Sequence, residues 1–93
     1  MEEETNKMKE FSYTVASEHG MHARPCGMLA ATAKKYSSSI KAFYNGKDAD
    51  CKRLIALMEL GIKYGGTVRF RVEGDDEGEA SNAILRCLTE NVD

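Results

Sequence analysis

His19-Gly20-Met21-His22-Ala23-Arg24-Pro25-Cys26-Gly27 joins a strand-like segment to a helix-like one and holds both histidines and the only proline of the chain. Pro25 reads as the first residue of a helix, where a missing N–H does no harm and the fixed φ suits the turn. Arg24, just before it, is then expected outside helical geometry. No Ser, Thr, Asp or Asn stands at the cap to bond the first amides. Those amides, from Ala23 to Gly27, are therefore expected to be open to an outside partner. A helix start carries about half a positive charge and is a ready seat for an anion. Gly27 adds no bulk there, and Arg24 can form paired hydrogen bonds to a phosphate. His22 supplies an imidazole that is nucleophilic near neutral pH. The stretch thus implies an imidazole that takes and releases a phosphoryl group while a helix start holds its oxygens.

On the upstream side, Phe11, Tyr13 and Val15 alternate with Ser12 and Thr14, the pattern of a half-buried strand. Met1 to Met8 is polar and acidic and is expected to be a loose tail, which leaves 9–93 as one domain. Downstream, Leu29, Ala33 and Tyr36 share one face of a helix expected from Pro25 to about Tyr36. Ser37-Ser38-Ser39 breaks that helix. Ile40 to Tyr44 reads as a strand, and Asn45-Gly46 as a tight hairpin turn in which both residues need positive φ. Lys47 to Cys51 is the return strand, short or at an edge because Asp48 and Asp50 suit a strand poorly. Lys52 to Leu60 is a short apolar helix ended by Gly61. Leu57 and Leu60 can face inward, but Leu54, Ile55 and Met58 cannot all join them, so part of this helix is expected to expose an apolar patch. Thr67 to Glu73 is a strand with Val68, Phe70 and Val72 inward. Asp76 is expected to cap the last helix, with Glu79 completing a capping box. Ala80, Ala83, Ile84, Cys87 and Leu88 form its inner stripe. The simplest layered solution is α+β: a four-stranded antiparallel sheet with three helices on one face, in the order βαββαβα.

Ninety-three residues suffice for one modest core. The net charge of −2 gives no basic footprint for nucleic acid. No apolar run approaches the roughly 20 residues of a membrane span. Cys26, Cys51 and Cys87 are odd in number and widely spaced, which argues against a disulfide framework and for a reducing cytoplasm.

Gly20-Met21-His22-Ala23-Arg24-Pro25 resembles the Gly-Leu-His-Ala-Arg-Pro signature of HPr, the histidine phosphocarrier of the bacterial phosphoenolpyruvate-dependent sugar phosphotransferase system. The similarity runs from about Phe11 to the end. It includes Lys52 opening the apolar helix, Leu60-Gly61 closing it, and Gly74-Asp75-Asp76-Glu77 before the last helix. The resemblance implies an open-faced β-sandwich and a stoichiometric carrier rather than an enzyme. It implies that Nδ1 of His22 accepts the phosphoryl group from enzyme I and yields it to EIIA domains of sugar permeases. The amides of Ala23 and Arg24 and the Arg24 side chain would steady that group. Met21, Gly27, Met28, Leu54, Ile55 and Met58 match the docking surface, with Lys52 adding charge steering. A cytoplasmic monomer needing no cofactor or metal is expected, without nucleic acid or membrane insertion.

Several residues carry a plainer or a rival reading. His22 could be a loop histidine with no task, and Arg24 a solvated surface residue. Met21 and Met58 could be ordinary core filling. His19 falls where the family has a small polar residue and reads as an exposed loop residue, although a second imidazole near His22 would make double protonation less favourable. Cys26 at a helix start could be an activated thiol paired with His22, or a zinc ligand with both histidines. Neither idea finds an orienting acid or a fourth ligand. Arg53 is the main departure, since the family often has a regulatory serine after the lysine at this point. Arg53 cannot be phosphorylated, and it adds +1 where a phosphate would add about −1.5 to −2. That departure keeps open a second reading, a regulatory protein-binding module on the same fold that does not relay phosphate to sugar.

Overall fold

Period-two alternation and helical stripes sort the chain into seven elements: β1 (Met8–Thr14), α1 (Ala23–Ala33), β2 (Ser39–Tyr44), β3 (Lys47–Asp50), α2 (Leu54–Glu59), β4 (Thr67–Glu73) and α3 (Glu77–Glu90). They come from a computed structural model that describes residues 8–90. The strands form one antiparallel sheet in the order β1-β4-β2-β3. This is the open-faced arrangement expected from the sequence, with β3 short and at an edge.

β4 is central, and its alternation decides the two faces of the sheet. Val68, Phe70 and Val72 are fully buried against the helices, together with Ile40 and Ala42 of β2. Leu29 and Ala33 of α1, Leu57 of α2, and Ala80 and Ile84 of α3 close the core from the other side. The opposite face of the sheet is open. There Arg69 and Arg71 hold their guanidinium carbons 4.6 and 5.1 Å from the centre of the Phe43 ring. Glu10 accepts a 3.0 Å hydrogen bond from Arg71 Nε. Exposed pairs of this kind contribute little to stability, so the helix-covered face carries the fold.

Boundaries and caps differ from expectation in several places, and α1 ends at Ala33 instead of about Tyr36. Met8 belongs to β1 and pairs with Glu73, so the strand reaches into the segment read as a tail; residues 1–7 of that tail lie outside the described residues. Helix α1 starts at Ala23, not Pro25, and Arg24 is helical. A proline without an N–H is harmless anywhere in the first turn, where no amide has a partner four residues back. Helix α2 starts at Leu54, because Lys52 and Arg53 are used in a turn. The Asp50 carboxylate accepts the Lys52 N–H at 2.9 Å, and the Asp50 carbonyl accepts the Arg53 N–H at 3.0 Å. At α3 the Asp76 side chain does not cap its own helix. It accepts the amides of Ser37 and Ser38, at 2.9 and 3.0 Å, and the Ser38 hydroxyl. Glu77 bonds back to the Gly74 amide at 3.2 Å instead.

Candidate functional site

His22 occupies the N-cap of α1 in extended conformation (φ −86°, ψ −166°), and no side chain caps the helix. The first helical bond runs from the Cys26 N–H to the His22 carbonyl, at 3.1 Å. Pro25 has no N–H to offer, so the amides that precede this bond are those of Ala23 and Arg24. The stretch ahead of the first helical bond is therefore narrower than the span from Ala23 to Gly27 expected from sequence. No acidic residue sits in the first turn to counter its positive pole. Ala23 and Arg24 are exposed and the His22 ring is half-buried. Its Nε2 is buried.

The loop ahead of the helix is held in place from outside. The Met21 N–H donates to the Ile62 carbonyl at 3.0 Å. Gly20 adopts φ +69°, and a Cβ built on it would lie 2.6 Å from the Ile62 oxygen. Only a glycine fits that approach. Sequence reasoning missed the role of Ile62, because nothing local links residues 20 and 62; the glycine itself was the available signal.

The expected docking residues separate into two groups. Leu54, Ile55 and Met58 of α2 are exposed, Ile55 at 64%, and Arg53 stands exposed at the N-cap of the same helix. Gly27 and Lys52 are half-buried. Met28 is exposed and lines the groove between α1 and α3 with Lys35, Tyr36 and Arg86. Met21 is the correction. It is buried at 8% exposure, because its backbone is drawn in by Ile62 and its side chain packs near Tyr13, Val15 and Leu88. Tyr64, 64% exposed on the connection before β4, was not marked by any pattern in the sequence.

Cys26 does not fit a nucleophile or a ligand. It is fully buried, its Sγ donates to the Met21 carbonyl at 3.3 Å, and burial pushes its thiol pKa up. A reactive helix-start thiol needs the opposite shift and an open approach. Cys51 is also fully buried, and burial, Asp50 and Cys26 raise its pKa in that order. Cys51 and Cys87 act as small core residues, as expected. Among the described residues no group of three or more His, Cys, Asp or Glu side chains is placed to hold a metal. His19 is exposed and packs its ring against His22, with centroids 5.7 Å apart and planes at 88°.

The family model described as the PTS HPr component phosphorylation site matches residues 9–90. A histidine-containing phosphocarrier protein from Mycoplasma is 32% identical, with a TM-score of 0.87 over 88% of this chain and 93% of that one. HPr from Thermoanaerobacter tengcongensis is 34% identical, with a TM-score of 0.83 over 88% and 92%. Crh, a Bacillus subtilis catabolite repression protein solved as a swapped-domain dimer, is 28% identical, with a TM-score of 0.70 over 86% and 92%. A motif at a helix start, a four-stranded open sheet and a family match across nearly all the described residues agree, and the chain belongs to the PTS-HPr family of phosphocarriers.

Proposed function

We propose that this protein carries a phosphoryl group on Nδ1 of His22, accepting it from phospho-enzyme I and passing it to EIIA domains of sugar permeases. The position of His22 at the uncapped start of α1 carries the reading. With Nε2 buried, attack falls to Nδ1. The imidazole forms the new N–P bond as the donor histidine leaves, and the reverse exchange delivers the group to the acceptor. The Ala23 and Arg24 amides and the positive pole of α1 favour the phosphoryl oxygens. The Arg24 guanidinium adds a charge-assisted contact. The partners meet the exposed Leu54, Ile55 and Met58 with Gly27 and Met28 beside the seat, and Lys52 steers them. The carrier works stoichiometrically, in the cytoplasm, without a cofactor of its own. Among the described residues no helix is long and apolar enough to cross a membrane.

The test is intact mass after mixing with enzyme I and phosphoenolpyruvate, before and after brief acid treatment. One phosphate that acid removes is expected. No added mass, with a known HPr labelled alongside, would overturn the relay.

Arg53 favours a second reading. An exposed cation at the N-cap of α2, on the expected docking surface, suits a regulatory module that binds a protein without onward transfer. Similarity to a catabolite repression protein adds to it. Acceptance from enzyme I without delivery to any EIIA would select this reading.

A further inference from the structure

We infer that the groove between α1 and α3 docks an amphipathic helix of a partner protein, one with acidic residues beside its apolar face. The inference does not depend on the phosphoryl site.

The two helices run antiparallel. Met21 and Pro25, at the start of α1, line one small cavity with Cys87 and Leu88, late in α3. At the other end, Asp76 just ahead of α3 holds the amides of Ser37 and Ser38, just past α1. Each helix lends the groove one stripe. Met28, Ala31, Thr32 and Lys35 come from α1, and Ala83, Arg86, Cys87 and Glu90 from α3. Both stripes have the spacing i, i+3, i+4, i+7, one continuous face of a helix. Between them lie about 390 Å³ that no other element lines. Seven residues at about 1.5 Å each give the groove roughly two turns of a partner helix. Helix α2 packs against α1 and β3, so this groove is separate from the exposed α2 face.

Charge selects the occupant. Lys35 and Arg86 are exposed, and among the described residues neither forms an ion pair. Glu90 stands at the opposite end of the groove from Lys35, beside Met28. Two cations against one carboxylate make the groove locally positive on a chain whose net charge is −2. Met28, 41% exposed, offers an adaptable apolar contact, and Ala31 and Ala83 leave room for a partner's side chains. An apolar helix stripe set into a groove, with acids over Lys35 and Arg86, satisfies both features.

Two synthetic helical peptides test it. They share one leucine stripe, flanked by glutamate in the first and by lysine in the second. Each would be titrated into the full 15N-labelled chain. The glutamate peptide should move the amide resonances of Met28 to Lys35 and Ala83 to Glu90, and the lysine peptide should leave them in place. The double variant Lys35→Glu, Arg86→Glu should bind the glutamate peptide about tenfold more weakly, the size of two exposed charge pairs, and should now take the lysine peptide. Both side chains are exposed, so the variant should keep the fold, which unmoved β4 amides report. Equal affinity for both peptides would overturn the inference, because apolar adhesion alone explains it. Shifts centred on Leu54 and Ile55, or none with either peptide at millimolar concentration, would also overturn it. Phosphatidylglycerol vesicles that move the groove amides where the glutamate peptide does not would overturn it too, giving the groove to a lipid surface.

Discussion

The carboxylate of Asp76, at the entry to α3, holds the backbone amide and hydroxyl of Ser38, at the entry to β2. With the Ser37 amide it fastens the turn after α1 to the start of the last helix. Ser38 is buried and Asp76 half-buried, so three donors depend on one side chain. The Ser38 hydroxyl, and then the Ser37 amide, hold the Asp76 pKa below the usual carboxylate range. A group with a lowered folded pKa contributes stability above its unfolded pKa, near 3.9, and loses it as pH falls through the folded value. Asp76→Ala should therefore melt earlier than the native chain at pH 7. The gap should narrow as pH drops below about 4, by thermal denaturation across pH. A gap that stayed constant into strong acid would mean that the carboxylate charge plays no part.

Two glycines near the site should respond in opposite directions. Gly20→Ala forces a Cβ toward the Ile62 oxygen at a positive φ, and should destabilise by about 1–3 kcal/mol. Gly27 lies in α1 with nothing within 4 Å of a built Cβ. Gly27→Ala should stabilise by about 0.5–1 kcal/mol, because alanine loses less freedom in a helix. Urea denaturation of both variants measures the pair.

His22→Ala should accept no phosphoryl group from enzyme I and phosphoenolpyruvate. His19→Ala should still be labelled, since His19 is an exposed loop residue beside His22. Intact mass distinguishes the two, and full labelling of His22→Ala would place the acceptor elsewhere.

Ile55 is 64% exposed and contributes little to the core. Ile55→Glu should leave the melting temperature within a few degrees. It should raise the concentration of this protein at which enzyme I is half-saturated by about tenfold, the cost of a charge in an apolar contact. Unchanged transfer kinetics would show that partners dock away from α2.

Cys26 should resist a thiol reagent in the folded state and react on unfolding, because its Sγ is buried, bonded to the Met21 carbonyl and raised in pKa. Counting modified thiols in native buffer and in guanidinium checks it.

The sequence was most legible where one element's pattern sufficed. Val68, Phe70 and Val72 alternate cleanly, and β4 has the expected limits. Asn45 and Gly46 take positive φ, at 54° and 83°, as the tight hairpin requires. Leu57 and Leu60 turn inward while Leu54, Ile55 and Met58 stay out, because six residues bury one stripe. The misreadings arose where distant segments compete for the same group. Asp76 looked like a local cap, but the serine turn, 38 residues away, takes its carboxylate. Met21 looked like a surface residue, but Ile62, far along the chain, draws its backbone inward. Pro25 was placed at the first helical position when the third serves equally well. His22 and Arg24 could be singled out because the motif that holds them occupies six consecutive residues.

The strand order β1-β4-β2-β3 constrains how the molecule comes into being. β1 finds its hydrogen-bonding partner only in β4, with Met8 opposite Glu73 and Phe11 opposite Phe70. The β2–β3 hairpin closes locally, but β4 must wedge between it and β1. During synthesis, β1 therefore waits unpaired until nearly all of the described chain has left the ribosome, and the connection that ends in the helix-start histidine waits with it. Such long-range closure slows folding relative to a helical bundle of this size and makes assembly of the sheet a late, cooperative event. A nascent chain stalled before β4 should be fully open to protease along β1, and the same segment should become protected once Glu73 has emerged.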